Sequence, residues 1–294
     1  MNSEVINVNQ NQNKIIPKRC KNAIVDSTNE FVLFAADTNN QIKLSEENNS
    51  TNKEIVEKTN VCSSKESNKF IYSNTSHIGT DEFGSCDYFG PVCVVSCFID
   101  KTDLEWLNQF NLSNVKELTN EEIINLAKDI KERIVYSLLI LDNPHYNTMI
   151  SDGLNPASIK AKLFNQAITN VMQKINKPIS KKVVSNFVAS KTYYNYLKNE
   201  VIVVKGVEFE NEAHTKYFAV ACAYILSKYA FIQYFNNMSN KLKINLPYGA
   251  NMQSDKAGVR LVNTYGDAIL NKVAKKHFAN TRKILELKKE CKDK

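Results

Sequence analysis

From residue 78 onward, the hydrophobic positions fall into short β-branched runs alternating with longer stretches of helical spacing. Residues 78–81 and Val92–Ile99 are apolar runs divided by Gly84 and the Gly90-Pro91 turn, which predicts two central strands joined by a tight connection. Thr119 with Glu122 three residues later forms a capping-box signature, and residues 123–141 read as a helix running into a strand. In 155–175 the apolar residues Ile159, Leu163, Ala167 and Val171 stand four apart among lysines and polar residues, the pattern of an amphipathic helix. Residues 182–187 and 201–204 are short β-rich runs, and 212–235 is long, apolar and free of Gly and Pro, which predicts one buried helix. Beyond Pro247-Tyr248-Gly249, residues 256–270 and 271–278 read as further helices interrupted near Gly266. Strands, then long helices, then strands again indicate an α/β sandwich rather than a bundle or barrel.

The first 75 or so residues differ in texture, being rich in Asn, Ser, Thr and Lys. Short strands at 23–25 and 31–36 and a helix at 50–59 suggest a small α+β module over 1–62, followed by a polar linker at 63–76. A core domain over 77–285 and a basic tail at 286–294 complete the expected organisation. A chain of 294 residues accommodates such a pair of unequal domains.

Composition narrows the function classes. With 43% hydrophobic and 23% charged residues the chain is ordinary for a soluble protein, and no uninterrupted apolar run approaches the roughly 18 residues of a membrane span. The start MNSEVINVNQNQNK lacks the basic and apolar blocks of a secretory signal, so the expected location is cytoplasmic. Seven scattered cysteines, with Cys93 and Cys97 inside an apolar run, suit small buried hydrophobes in a reducing compartment rather than a zinc or redox motif. A net charge of +7 is compatible with a polyanionic partner, although many proteins without one are as basic.

The candidate chemistry begins at Asp81-Glu82, where an apolar strand meets Gly84-Ser85-Cys86-Asp87. Neighbouring strand residues face opposite ways, so both acids share one site only if the strand ends or bends, and Gly84 permits a bend. Two acids in an apolar setting call for a hard divalent cation; the alternative is a surface turn in which they cap the next segment.

The string IGTDEFGSCDYFGP at 78–91 resembles the first strand motif of ribonuclease HIII, in which GTDE or GSDE is followed by GTGDYFGP. The likeness continues in order through Tyr146-Asn147, Asn155, Ile159-Lys160-Ala161, the run from Lys216 to Ala221, Pro247-Tyr248-Gly249-Ala250, Asp255 and the run from Ala274 to Thr281. It implies an RNase H-like mixed β-sheet flanked by helices, with a degraded TATA-binding-protein-like module in front. It also implies endonucleolytic cleavage of the RNA strand of RNA–DNA hybrids by a monomer, using two ions, Mg2+ or Mn2+, about 3.5 to 4 Å apart. Four carboxylates hold those ions in the family. Here Asp81 and Glu82 match two, whereas Ser185 stands where the IDQF-like strand has its aspartate and His214 where a TKAE-like segment has its acid.

His214 could ligate a softer metal beside Asp81 and Glu82, or simply pack at a helix start; Glu210 or Glu212 could swing in as a replacement ligand. The family reads the 2′-hydroxyl with a G-x-G run, and Gly84-Ser85-Cys86 stands there, its Cys86 side chain narrowing the approach. Lys116 survives from the family's DSK element as a phosphate contact, and Lys160, Lys162, Lys275 and Lys276 could line the hybrid. Tyr193, Tyr194 and Tyr196 could stack on bases or pack as core. Two readings follow, an active hybrid ribonuclease and a catalytically depleted relative that binds nucleic acid or a partner; a repurposed metal-binding protein is a third.

Overall fold

A computed structural model describes residues 32–33 and 74–290. The strand expected at 23–25, the helix at 50–59 and the linker up to residue 73 lie outside the described residues. Within the expected strand at 31–36, β1 (Val32–Leu33) pairs in parallel with β4 (Val135–Leu141).

The sheet runs β1-β4-β3-β2-β5-β6, with β2 (His77–Phe83), β3 (Val92–Ile99), β5 (Lys181–Ser185) and β6 (Val207–Glu210). β2, β3 and β4 form an antiparallel meander, while β5 and β6 add in parallel on the far side of β2. The parallel half needs crossovers, supplied by α3 (Asn143–Ser151) with α4 (Pro156–Lys174), and by α5 (Ser190–Tyr196). Both predicted central strands are central, and after the short α1 (Leu104–Leu107) the capping box at Thr119 starts α2 (Asn120–Arg133), which leads into β4.

Alternation along β3 divides the core into two layers. Val95, Cys97 and Ile99 pack under α2 and α7 (Phe218–Leu242), whereas Val92, Val94 and Phe98 pack with Ile159, Ala161, Phe164 and Ile168 of α4. α7 is long and apolar enough to cross a membrane by composition, but 83% of its most apolar window is buried inside the protein, as expected of a central core helix. Its start lies directly on β2: a Cβ at Gly79 would meet the Val220 nitrogen at 2.3 Å, so only glycine permits that approach. His77 completes the contact, its Nε2 accepting from the Ala219 amide at 3.2 Å while Nδ1 bonds the Thr75 carbonyl at 2.8 Å. Donating at Nδ1 and accepting at Nε2 requires the neutral ring, and burial lowers its pKa in keeping with that.

Several expectations are corrected. The helix predicted over 212–235 is broken: α6 (Ala213–Lys216) ends at Tyr217, whose extended backbone (φ −130°, ψ 119°) redirects the chain into α7. The Tyr217 ring is buried against His77, and this packing outweighs the continuous helical propensity of the sequence. Residues 201–204 form no strand; Val201 is 79% exposed, and the sheet is joined only after Gly206, at φ +67°. The C-terminal helices are α8 (Met252–Tyr265), α9 (Ile269–Val273) and α10 (Ala279–Glu290), so the expected tail contributes its first residues to a helix.

Candidate active site

Register determines how the acids stand. β2 continues beyond them to Phe83, which pairs with Cys93, so strand alternation still holds at Asp81 and Glu82. Asp81 lies on the α7 face and Glu82 on the α4 face. The bend does occur at Gly84, at φ +98°, where a Cβ would meet the Pro91 carbonyl at 2.4 Å and the Phe231 ring at 2.6 Å. It comes two residues after the pair, which corrects the expectation that it turns both acids into one pocket.

On the α7 face, Asp81 is 6% exposed, and its Oδ2 accepts from the Ser185 hydroxyl at 2.8 Å while Oδ1 accepts from the Glu82 amide at 2.8 Å. Parallel pairing of Thr80 with Val184 makes Ser185 the next residue on β5, level with Asp81. Burial pushes the Asp81 carboxyl up to about 6, against the opposing effect of the Ser185 hydrogen bond.

On the α4 face, Glu82 has three donors. Lys160 Nζ on α4 lies 2.9 Å from Oε1, the Ser85 hydroxyl 2.6 Å from the same oxygen, and the Ser85 amide 3.2 Å from Oε2. The Lys160 ammonium also lies over the rings of Phe187, at 4.8 Å, and Phe164, at 5.4 Å.

His214 on α6 is buried, with its Nδ1 lacking a hydrogen-bond partner. Burial lowers its pKa to about 4, and the nearby Lys116 charge acts in the same direction, so the ring is neutral at pH 7. Lys116 lies 6.0 Å from the centre of the Tyr224 ring, and His214 6.3 Å from it, centre to centre. Tyr224, not anticipated from sequence, feels the charges of Asp81, Glu82 and Asp87, but burial is the main cause of its rise to about 12. Its position on a long apolar helix gave no signal beyond core packing.

Among the described residues, no three His, Cys, Asp or Glu side chains converge as a metal-ligand group, so the expected trio Asp81, Glu82 and His214 is not assembled. Glu210 pairs with Lys216 at 3.1 Å, and Glu212 occupies a left-handed turn at φ 51° without a side-chain cap; neither completes such a group. Asp81 and Glu82 supply two carboxylates, and Ser185 and His214 add none where the family has acids, so the side chains present offer fewer anionic ligands than a pair of dications takes in the family.

The other expected contacts separate. Cys86 is exposed and needs no positive φ; that demand falls on Gly84 alone. Lys275 cannot line a ligand: it is fully buried, its Nζ donating to the carbonyls of Asp87 at 2.8 Å and Gly90 at 2.6 Å. Lys162 pairs with Glu200, while Lys276 is exposed. Tyr193 is buried against Phe209 and Tyr194, which favours its core reading. Asp87, another residue without an expected role, fastens the bend by accepting from the Gly249 amide at 2.6 Å.

A mixed sheet carrying an acidic pair on a central strand, with helices on both faces, defines an RNase H-like protein. The ribonuclease HII family profile matches residues 78–281. Ribonuclease HIII of Staphylococcus haemolyticus (strain JCSC1435) is 35% identical over 217 residues, covering 74% of this chain and 70% of that protein. The Bacillus subtilis (strain 168) ribonuclease HIII is 36% identical over 214 residues, covering 72% and 68%. Among solved structures, Bst-RNase HIII in complex with Mn2+ superposes with a TM-score of 0.72 at 30% identity, covering 74% of this chain and 71% of that one. Ribonuclease H2 from Pyrococcus horikoshii OT3, at 19% identity and a TM-score of 0.62 over 74% of this chain and 100% of that one, shares the fold. The chain belongs to the ribonuclease HII family, on its ribonuclease HIII branch.

Proposed function

We propose that this chain binds RNA–DNA hybrids in the ribonuclease HIII manner but cleaves them weakly or not at all. The observation carrying the reading is the acid inventory: Asp81 and Glu82 match the family's adjacent pair, but Ser185 and His214 stand where the family has its other two acids. Hydrolysis requires a means of activating water and a sink for charge on the leaving oxygen. Divalent ions would supply both functions in this family. The Ser185 hydroxyl and a neutral His214 contribute no negative charge to hold them.

Binding makes different demands. Lys116 offers a phosphate a positive charge, and the bend at Gly84 keeps the backbone of Ser85 and Cys86 beside the acids for contact with a ribose. The Cys86 side chain reduces the space for that contact and weakens discrimination between RNA and DNA.

Incubation of a labelled RNA–DNA hybrid with Mg2+ or Mn2+ tests the proposal. The expected result is turnover no higher than that of Asp81→Asn, with hybrid bound more tightly than duplex DNA. Joint replacement Ser185→Asp and His214→Glu is expected to create cleavage. Robust cleavage by the unmodified chain would instead establish an active ribonuclease HIII, the reading favoured by whole-domain similarity. Equal binding of hybrid and duplex DNA removes the substrate assignment.

A further inference from the structure

We infer that His214 presents a ring N–H to a phosphate oxygen of the bound nucleic-acid backbone, beside the Lys116 ammonium, so that the cleft grips a phosphodiester directly where the family places an acid. This deepens the reading of hybrid binding without efficient cleavage and rests on it.

The two ring nitrogens of His214 stand in different surroundings. The side chain is 6% exposed, and Nδ1 is sealed from solvent with no hydrogen-bond partner, whereas Nε2 is not sealed. The ring is neutral and holds one proton, which sits on one nitrogen or the other. On Nδ1 it would be a buried donor without an acceptor, an arrangement rarer in folded proteins than an unfilled acceptor. The proton therefore belongs on Nε2, where water or a ligand can accept it. His77 is the reverse case: its Nδ1 donates to the Thr75 carbonyl at 2.8 Å and its Nε2 accepts from the Ala219 amide at 3.2 Å.

That tautomer decides what the site can take. A metal ion needs a nitrogen lone pair, and the one on His214 is sealed inside the protein. An anion needs a donor, which Nε2–H supplies. Lys116 adds the charge: it pairs with no carboxylate among the described residues, its Nζ lies 6.0 Å from the centre of the Tyr224 ring, and the His214 ring lies 6.3 Å from the same centre. The two are near enough for the Lys116 charge to act on the imidazole. A positive charge beside a directional donor suits a phosphate oxygen. Because His214 stands where the family has an acid, this donor belongs to the chain's departures from its relatives.

The tautomer is read from long-range proton–nitrogen correlation spectra of the full chain, isotope-labelled at histidine, with the His214 signals assigned by their loss in His214→Gln. This measurement needs no nucleic acid, so its failure is distinguishable from failure of hybrid binding. A protonated Nε2 at His214 is expected, with the protonated Nδ1 of His77 as internal contrast; a protonated Nδ1 at His214 overturns the inference. Fluorescence anisotropy then compares binding of an RNA–DNA hybrid in EDTA and in Mg2+ at matched ionic strength, and the unmodified chain should bind equally in both. In EDTA, His214→Asn should lose about tenfold in affinity, the scale of a hydrogen bond to a charged group, whereas His214→Gln, whose amide nitrogen falls where Nε2 stood, should keep most of it. His214→Glu sets a like charge against the phosphate and should bind more weakly still. Unchanged affinity in His214→Asn, its folding verified by circular dichroism, overturns the inference, as does binding that requires Mg2+. Should that variant not fold, His214→Ala is held to the same criterion. Perturbation of the His214 signals by inorganic phosphate but not by hybrid overturns the assignment to a nucleic-acid backbone and leaves a site for the free anion.

Discussion

Replacing Asp81 by Asn is expected to stabilise the protein at neutral pH. Burial raises the folded-state carboxyl from its ordinary 3.8 to about 6. A raised acid contributes stability that is fully present below the ordinary value and lost as pH rises through the folded one. The difference of about 2.2 units, at 1.36 kcal/mol each, is a penalty of about 3 kcal/mol once the group is ionised. Asparagine removes the charge with little change of shape, and Ser185 can rotate its hydroxyl to suit the amide. The gain should reach about 2 to 3 kcal/mol at pH 7.5 and fall towards zero by pH 4, as read from urea unfolding of both proteins. A variant less stable than the parent at pH 7.5, or a difference that does not vary with pH, would refute the reasoning.

Three further outcomes are expected. Lys275→Met should cost about 2 to 4 kcal/mol in urea unfolding, because the carbonyls of Asp87 and Gly90 lose a buried charged donor. Gly84→Ala, which brings a Cβ within 2.4 Å of the Pro91 carbonyl at a φ of +98°, should lower the thermal midpoint by several degrees or prevent soluble expression. Lys116→Ala should weaken binding to hybrids of different sequence equally and reduce the logarithmic salt slope by about one, as measured by fluorescence anisotropy.

The motif around Asp81 and Glu82 was legible through the likeness of the whole string at 78–91 to the ribonuclease HIII strand motif, since the acidic pair alone reads equally as a surface turn, and Ser185 and His214 followed from that likeness in chain order. The orientation of the two acids was not. It depends on β2 continuing to Phe83, which is decided by pairing with Cys93 on another strand. Lys160 similarly read as a phosphate contact, since nothing within α4 reveals that its ammonium lies between Glu82 and two aromatic rings. Residues 201–204 show the converse error: β-branched composition suggested a strand, but without a partner edge Val201 remained in solvent. Continuous apolarity likewise concealed the break at Tyr217, which follows from tertiary packing of its ring.

The family match ends at residue 281, yet α10 continues to Glu290. Ile284, three residues past that limit, is fully buried and lies so close to Gly258 of α8 that a Cβ there would come within 2.2 Å of its Cδ1. The stretch that the family profile matches is therefore shorter than the unit that folds. A truncation placed at the limit of the family profile would remove the plug from the α8 groove and expose apolar surface, whereas a fusion partner attached after Glu290 would leave that joint intact.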